Sequence, residues 1–181
     1  MPTKFRRLCA LGVLGAAVSC GNLQKGSAPL ARGVHPLALP QFEVGPLAPE
    51  KRLENLSLVF KLSPEQEQER EALLAAQLDP ASPSYHRWLT SDEYAARFGA
   101  KPGDIERAKA WLTSQGLELL DTSRLGARVR FGGTVAQIQA AFHSSIRQYQ
   151  IGDELHYAMP TAPMIPTELA EVVLAVQNTH D

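Results

Sequence analysis

The stretch ARVRFGGTVAQIQAAFH, residues 127–143, decides how this chain folds. Its first half alternates Val129 and Phe131 with Arg128 and Arg130, the period of a strand with one buried face. Its second half places Val135, Ile138, Ala141 and Phe142 at helical spacing, and Thr134 stands where an N-cap belongs. Strand and helix are thus joined with almost no loop between them. The same grammar occurs earlier. NLSLVFKL, residues 55–62, alternates Leu56, Leu58 and Phe60, and the following SPEQ supplies a capping Ser63, a first-turn Pro64 and Gln66 to complete a capping box, for a helix to about Leu78.

Two strand-to-helix units frame the rest. LELLDT and ARVRFGG predict two strands around an SRLG turn, VLAVQN a closing strand, and SIRQYQI with LHYAMP a hairpin turning at Gly152 and Asp153. Between the first strand and LELLDT lie two further helices. One begins at Thr90, whose box partner is Glu93, and stops at Gly99; the other begins near Asp104, carries Ile105, Ala108, Trp111 and Leu112 on one face, and ends at SQG. IPTELAEV predicts a last short helix. The order is strand, helices, strand, strand, helix, strand with an appended hairpin. It predicts an α+β fold, a ferredoxin-like sandwich whose antiparallel sheet carries its helices mainly on one face.

Composition excludes some functions. With 18 Lys and Arg against 19 Asp and Glu, the net charge is −1, and no basic excess offers itself to a phosphate backbone; nucleic acid is not an expected partner. The N-terminal residues stand apart. Lys4, Arg6 and Arg7 precede the apolar run Leu8–Val18, too short for a mature membrane span, so residues 1–19 predict a secretory signal peptide. AVSC, residues 17–20, is similar to a bacterial lipobox, which implies lipidation of Cys20 and a membrane anchor; ordinary cleavage after Ala17-Val18-Ser19 is the competing reading. Loss of Cys9 with the signal leaves Cys20 as the one mature cysteine, so no intrachain disulfide is expected. Residues 20–53 are rich in Pro, Gly, Ala and Leu without sustained periodicity and read as a linker, and residues 54–181 as the folded domain.

The search for chemistry starts at SPSYHRWLTSDEYAARFG, residues 82–99, whose density of turn, cap and aromatic residues suggests an active-site loop. His86 is its only natural acid–base residue and has no partner nearby in sequence. Tyr85, Trp88, Leu89, Tyr94 and Phe98 instead read as anchors folding the connection onto the domain. Ser144 or Ser145 with His143 and Asp153 would supply the letters of a catalytic triad, but no nucleophile sits on a Gly-x-Ser-x-Gly elbow. His86, His143 and His156 are too scattered for a metal motif, and Glu65, Glu67, Glu69 and Glu71 fall on different sides of a helix whose first turns favour them. FGGT could cradle an anion, yet it lacks the Gly-rich continuation and the Lys of a phosphate loop, and a tight capped turn accounts for it. Neither a cofactor nor a catalytic residue is expected.

The segments LSLVFKL, DPASPSYHRWLTSDEYAARFGAKPGDIERAKAWLTSQGLEL, VRFGGTVAQIQAAFHSSIRQY and MIPTELAEVVLAV together resemble the propeptide, or activation domain, of the sedolisin and kumamolisin serine-carboxyl peptidases. The resemblance covers Leu56 to about Val176, and its most specific positions are residues 82–98, Trp111, Leu112, Gly116, Phe142, Ile165 and Pro166. It implies a subtilisin-propeptide-like sandwich that docks by its sheet on a peptidase catalytic domain, assists its folding, and inhibits it until acid permits cleavage. The Ser-Glu-Asp domain of such peptidases is not in this sequence, and Gly133-Thr134, followed by Val135, is not their nucleophile segment; the resemblance implies no enzymatic activity for this chain. Nor does it include the segment that crosses the catalytic cleft. A docking function in trans predicts a contiguous apolar patch on the open sheet face. The alternatives are a lipid-anchored envelope module, which predicts a polar face there, and the remnant front of a zymogen gene.

Overall fold

A computed structural model describes residues 26–30 and 32–181; the expected signal peptide and Cys20 lie outside them. The first described strand, β1 (Ser27–Pro29), is followed by a 3-10 turn at Pro40–Phe42 and by β2 (Glu43–Pro46). Then come β3 (Arg52–Phe60), α1 (Pro64–Leu78), α2 (Ser91–Phe98), α3 (Pro102–Ser114), β4 (Glu118–Thr122), β5 (Arg128–Thr134), α4 (Val135–Phe142), β6 (Arg147–Ile151), β7 (Glu154–Ala158), β8 (Met164–Pro166), α5 (Thr167–Ala170) and β9 (Val173–Gln177).

The main sheet runs β4-β5-β3-β9 with every neighbouring pair antiparallel. Because β3 lies between β5 and β9, and β5 between β4 and β3, each helical connection spans an intervening strand. This is the interleaved order of a ferredoxin-like α+β sandwich. Leu56, Leu58, Val129, Phe131 and Val176 face Ala108 and Leu112 of α3 and Val135, Ile138, Ala141 and Phe142 of α4, all in one core cluster. Phe142 sits at its centre, fully buried, stacked on Phe131 at 5.8 Å between ring centroids and edge-on to Trp111 at 5.3 Å.

The helix starts follow from their caps. Ser63, Thr90 and Thr134 each accept a hydrogen bond from the N–H three residues on, while Gln66, Glu93 and Gln137 reach back to the cap residue's N–H, so three complete capping boxes define three helices. At the α4 box the chain must pass close to its own core. A Cβ on Gly133 would stand 2.7 Å from the Leu117 side chain, which explains the second glycine of FGGT without a ligand.

Residues 26–53 do not form the linker expected of them. β1 pairs with β8, β2 adds to β6 and β7 as a three-stranded sheet, β3 already begins at Arg52, and Leu30, Leu47 and Leu53 are buried in the core. These strands are three or four residues long, contain Pro and Gly, and pair through backbone groups, so side-chain periodicity does not announce them.

α1 and α2 stand somewhat apart. No α1 or α2 side chain belongs to the core cluster; Gln66 ties the two by donating to the carbonyls of Arg97 and Gly99, and Arg97 bonds Glu69. Glu65, Glu67, Glu69 and Glu71 are all exposed.

Candidate functional site

Sheet register shows what the other face of the main sheet carries. Ser57 stands opposite Arg130 and Gln177, Val59 opposite Arg128 and Ala175, Asp121 opposite Arg130, and Glu118 opposite Gly132. Paired residues share a face, and these alternate with the core-facing set. The middle of this face holds the small residues Ser57, Gly132 and Ala175, all of them buried, with longer charged side chains around them.

Those charges are organised. The Arg130 guanidinium donates Nε to Asp121 at 2.9 Å and Nη1 to the Asn55 side chain at 3.3 Å, and the Asp121 partnership raises its pKa further. Arg52 donates to Glu118 at 2.7 Å and lies 3.9 Å from Glu54. Arg128 is exposed and makes no ion pair among the described residues. Three arginines thus face three carboxylates, on a surface that no helix covers. The apolar patch expected here is absent: Val59 and Ala175 are its apolar members, and Val59 is only half-buried.

Leu119 and Leu120 of β4 are exposed large apolar residues within this sheet, and others lie away from it. Leu74 and Leu78 end α1 beside the 82–90 connection, where Tyr85, His86 and Trp88 form a ring stack with centroid spacings of 3.8 and 6.1 Å. Trp88 is 61% exposed and Tyr85 is also exposed, so neither anchors the connection as expected. Polar bonds hold it instead. Asp79 and Ser82 side chains accept from Ala81 and Ser84 N–H groups, His86 N–H donates to the Gln77 carbonyl, and the buried Gln77 amide donates to the Arg87 carbonyl. With the backbone fixed by turns, the rings are free to point outward. Phe98 is buried and packs on Tyr94 at 5.1 Å; Leu89, Tyr94, Trp111 and Pro166 are half-buried; and Gly116 takes φ +74°, the left-handed conformation that ends α3.

No triad is assembled from the candidate letters. Ser144 is buried and bonded to the carbonyl and hydroxyl of Thr161, His143 is the left-handed C-cap of α4, and Asp153 lies in the hairpin turn between β6 and β7. Among the described residues, no three His, Cys, Asp or Glu side chains group as a metal ion would require, and no helix is long and apolar enough to cross a membrane.

The model of the pro-kumamolisin activation domain aligns with residues 43–181, from the first residue of β2 through the last residue of the chain. No curated protein matches.

Proposed function

The chain belongs to the pro-kumamolisin activation domain family, and from that premise we propose that it binds the catalytic domain of a sedolisin-type peptidase through the open face of its main sheet, as inhibitor and folding assistant. The observation that carries this reading is the family match over residues 43–181; the sheet face that would dock is lined by Arg52, Arg128 and Arg130 against Glu54, Glu118 and Asp121, in place of the apolar patch that docking predicts. Ordered ion pairs around small central residues suit a partner that approaches closely and exchanges hydrogen bonds with the same charges. Binding the native peptidase in preference to its unfolded chain stabilises the native state by mass action, which is what assisted folding requires.

Release would act on the same surface, where Arg52 and Arg130 depend on charge-assisted contacts with Glu118 and Asp121. We further propose an exported, lipid-anchored chain, on the support of Lys4, Arg6, Arg7, the apolar run Leu8–Val18 and the cysteine at position 20.

The polar character of the face also favours a second reading, an envelope module that binds a non-peptidase partner. One titration separates the two. Purified chain added to acid peptidases of the sedolisin type, including any encoded beside its gene, is expected to inhibit them near neutrality, to raise their refolding yield, and to lose both effects in the R128E/R130E variant. Failure to inhibit or assist any of them, with pull-downs returning other envelope proteins, would refute the peptidase reading.

A further inference from the structure

Residues 32–39 form a strap across the free edge of the main sheet. Leu30 is buried and donates its N–H to the Pro163 carbonyl, Gly33 packs so closely on Pro163 that a Cβ there would lie 2.9 Å from its ring, and the 3-10 turn at Pro40–Phe42 holds the other end. Between these points Arg32 makes a parallel bridge to Ala175 of β9. The strap's Val34, Leu37 and Leu39 are exposed, so apolar burial contributes little to holding it. What meets it instead is the chain's C-terminal tail. The His35 ring lies 4.8 Å from the His180 ring, and the Leu37 N–H donates to His35 Nδ1 at 3.2 Å. The tail is fixed separately to the hairpin, since Tyr157 N–H donates to Asp181 at 2.7 Å and His156 lies between Asp181 (3.6 Å) and Glu154 (3.5 Å). Strap, tail and hairpin border a pocket of about 100 Å³, open to solvent, whose lining includes Leu37, Tyr149, Ile151 and Tyr157.

We propose that His35 and His180 form an acid-labile clasp, closed when both rings are neutral and opened by their protonation, which frees the strap from the β9 edge. Two effects of a proton act in one direction. On His35 Nδ1 it removes the lone pair that accepts the Leu37 N–H. On both rings it places like charges about 5 Å apart. The remaining groups facing the pair are Arg32, which adds to the repulsion, Asp181, which opposes it, and Tyr149, Tyr157, His156 and Glu154 of the hairpin. The Tyr157 N–H bond to Asp181 involves neither ring, so the tail stays on the hairpin while the strap departs.

Burial and the neighbouring His35 hold the His180 imidazole below its ordinary range, against Asp181. With the closed-state pKa depressed, the closed form is favoured above the ordinary histidine range and loses that advantage as the pH falls toward the depressed value. This inference concerns the chain alone and does not depend on the peptidase reading.

The test is an NMR titration of the full chain from pH 7.5 to 5.0, reading amide protection, corrected for intrinsic exchange, at residues 32–39 and at Tyr157. Screened repulsion at this ring distance corresponds to a roughly five- to twenty-fold loss of protection in the strap. Tyr157 should keep its protection through the same range. H180F, which retains a ring without a charge, should remove the pH response of the strap. Unchanged strap protection in the wild-type chain, or loosening of H180F with the wild-type midpoint, would overturn the proposal; if H180F does not fold, the wild-type titration decides it.

Discussion

Phe142 is the side chain whose removal tests the described core most directly. It joins α3, α4 and β5 through its contacts with Trp111 and Phe131 and has no solvent exposure. Truncation to Ala removes its burial and leaves a cavity that this packed layer can close only in part, a loss of about 3–5 kcal/mol. Each aromatic contact adds about 0.5–1.5 kcal/mol beyond area burial. Against a domain stability of about 5–15 kcal/mol, F142A therefore consumes a large share and lowers the urea midpoint by about 2 M, for a slope near 2 kcal/mol per molar. The chain has two tryptophans, and Trp88 is mostly exposed, so in a W88F background fluorescence reports Trp111 in the core. A double-mutant cycle of F142A with W111A, followed by far-UV circular dichroism, should give a coupling of about 0.5–1.5 kcal/mol. A loss below about 1.5 kcal/mol for F142A, or a coupling of zero, would refute the packing of α3 and α4 on this sheet.

Three further outcomes are expected. L47A, in a segment whose composition reads as linker, should cost about 2–4 kcal/mol in urea unfolding because Leu47 is a core residue; a surface-like effect under 0.5 kcal/mol would return it to a tether. T90A should cost about 1 kcal/mol by removing the α2 capping box, read by denaturation and by increased exchange at the Glu93 amide. The Glu93 carboxyl is held below the ordinary carboxylate range by its bonds to the Thr90 backbone and side chain, so the stability it adds to α2 is present above that range and is lost as the pH falls through its lowered pKa. In E93Q that acid-dependent fraying of α2, followed by NMR, should disappear; an unchanged profile would assign it to another group.

Side-chain pattern carried most of the main sheet and its helices. Ser63 with Gln66, Thr90 with Glu93 and Thr134 before an apolar stripe each mark a helix start that the structure places at the same residue, because a cap is a local bond between neighbours in sequence. β1 and β2 were not legible in that way. Their partners are more than a hundred residues away, and their Pro- and Gly-containing segments spell neither an alternating nor a helical pattern. Tyr85 and Trp88 misled for a related reason: aromatic content speaks for burial, whereas here turn bonds from Asp79, Ser82 and Gln77 already hold the backbone. The open sheet face was legible as alternation at Arg128 and Arg130, but the groups that answer Arg130, Asp121 of β4 and the Asn55 amide of β3, are brought to it only by the register.

The pairing of Ser27–Pro29 with Met164–Pro166 has a consequence for how the molecule is made. A growing chain can assemble β3, α3, β4, β5 and α4 as they emerge, but its first strand must wait for nearly the whole polypeptide before it finds a partner. Closing so long a loop is entropically costly and slow compared with the local steps around it. Until that closure the Leu30 side chain and the backbone groups of β8 remain in water. Folding thus includes a late seal between Ser27–Pro29 and Met164–Pro166, and any chain truncated before Met164 would keep that seam open.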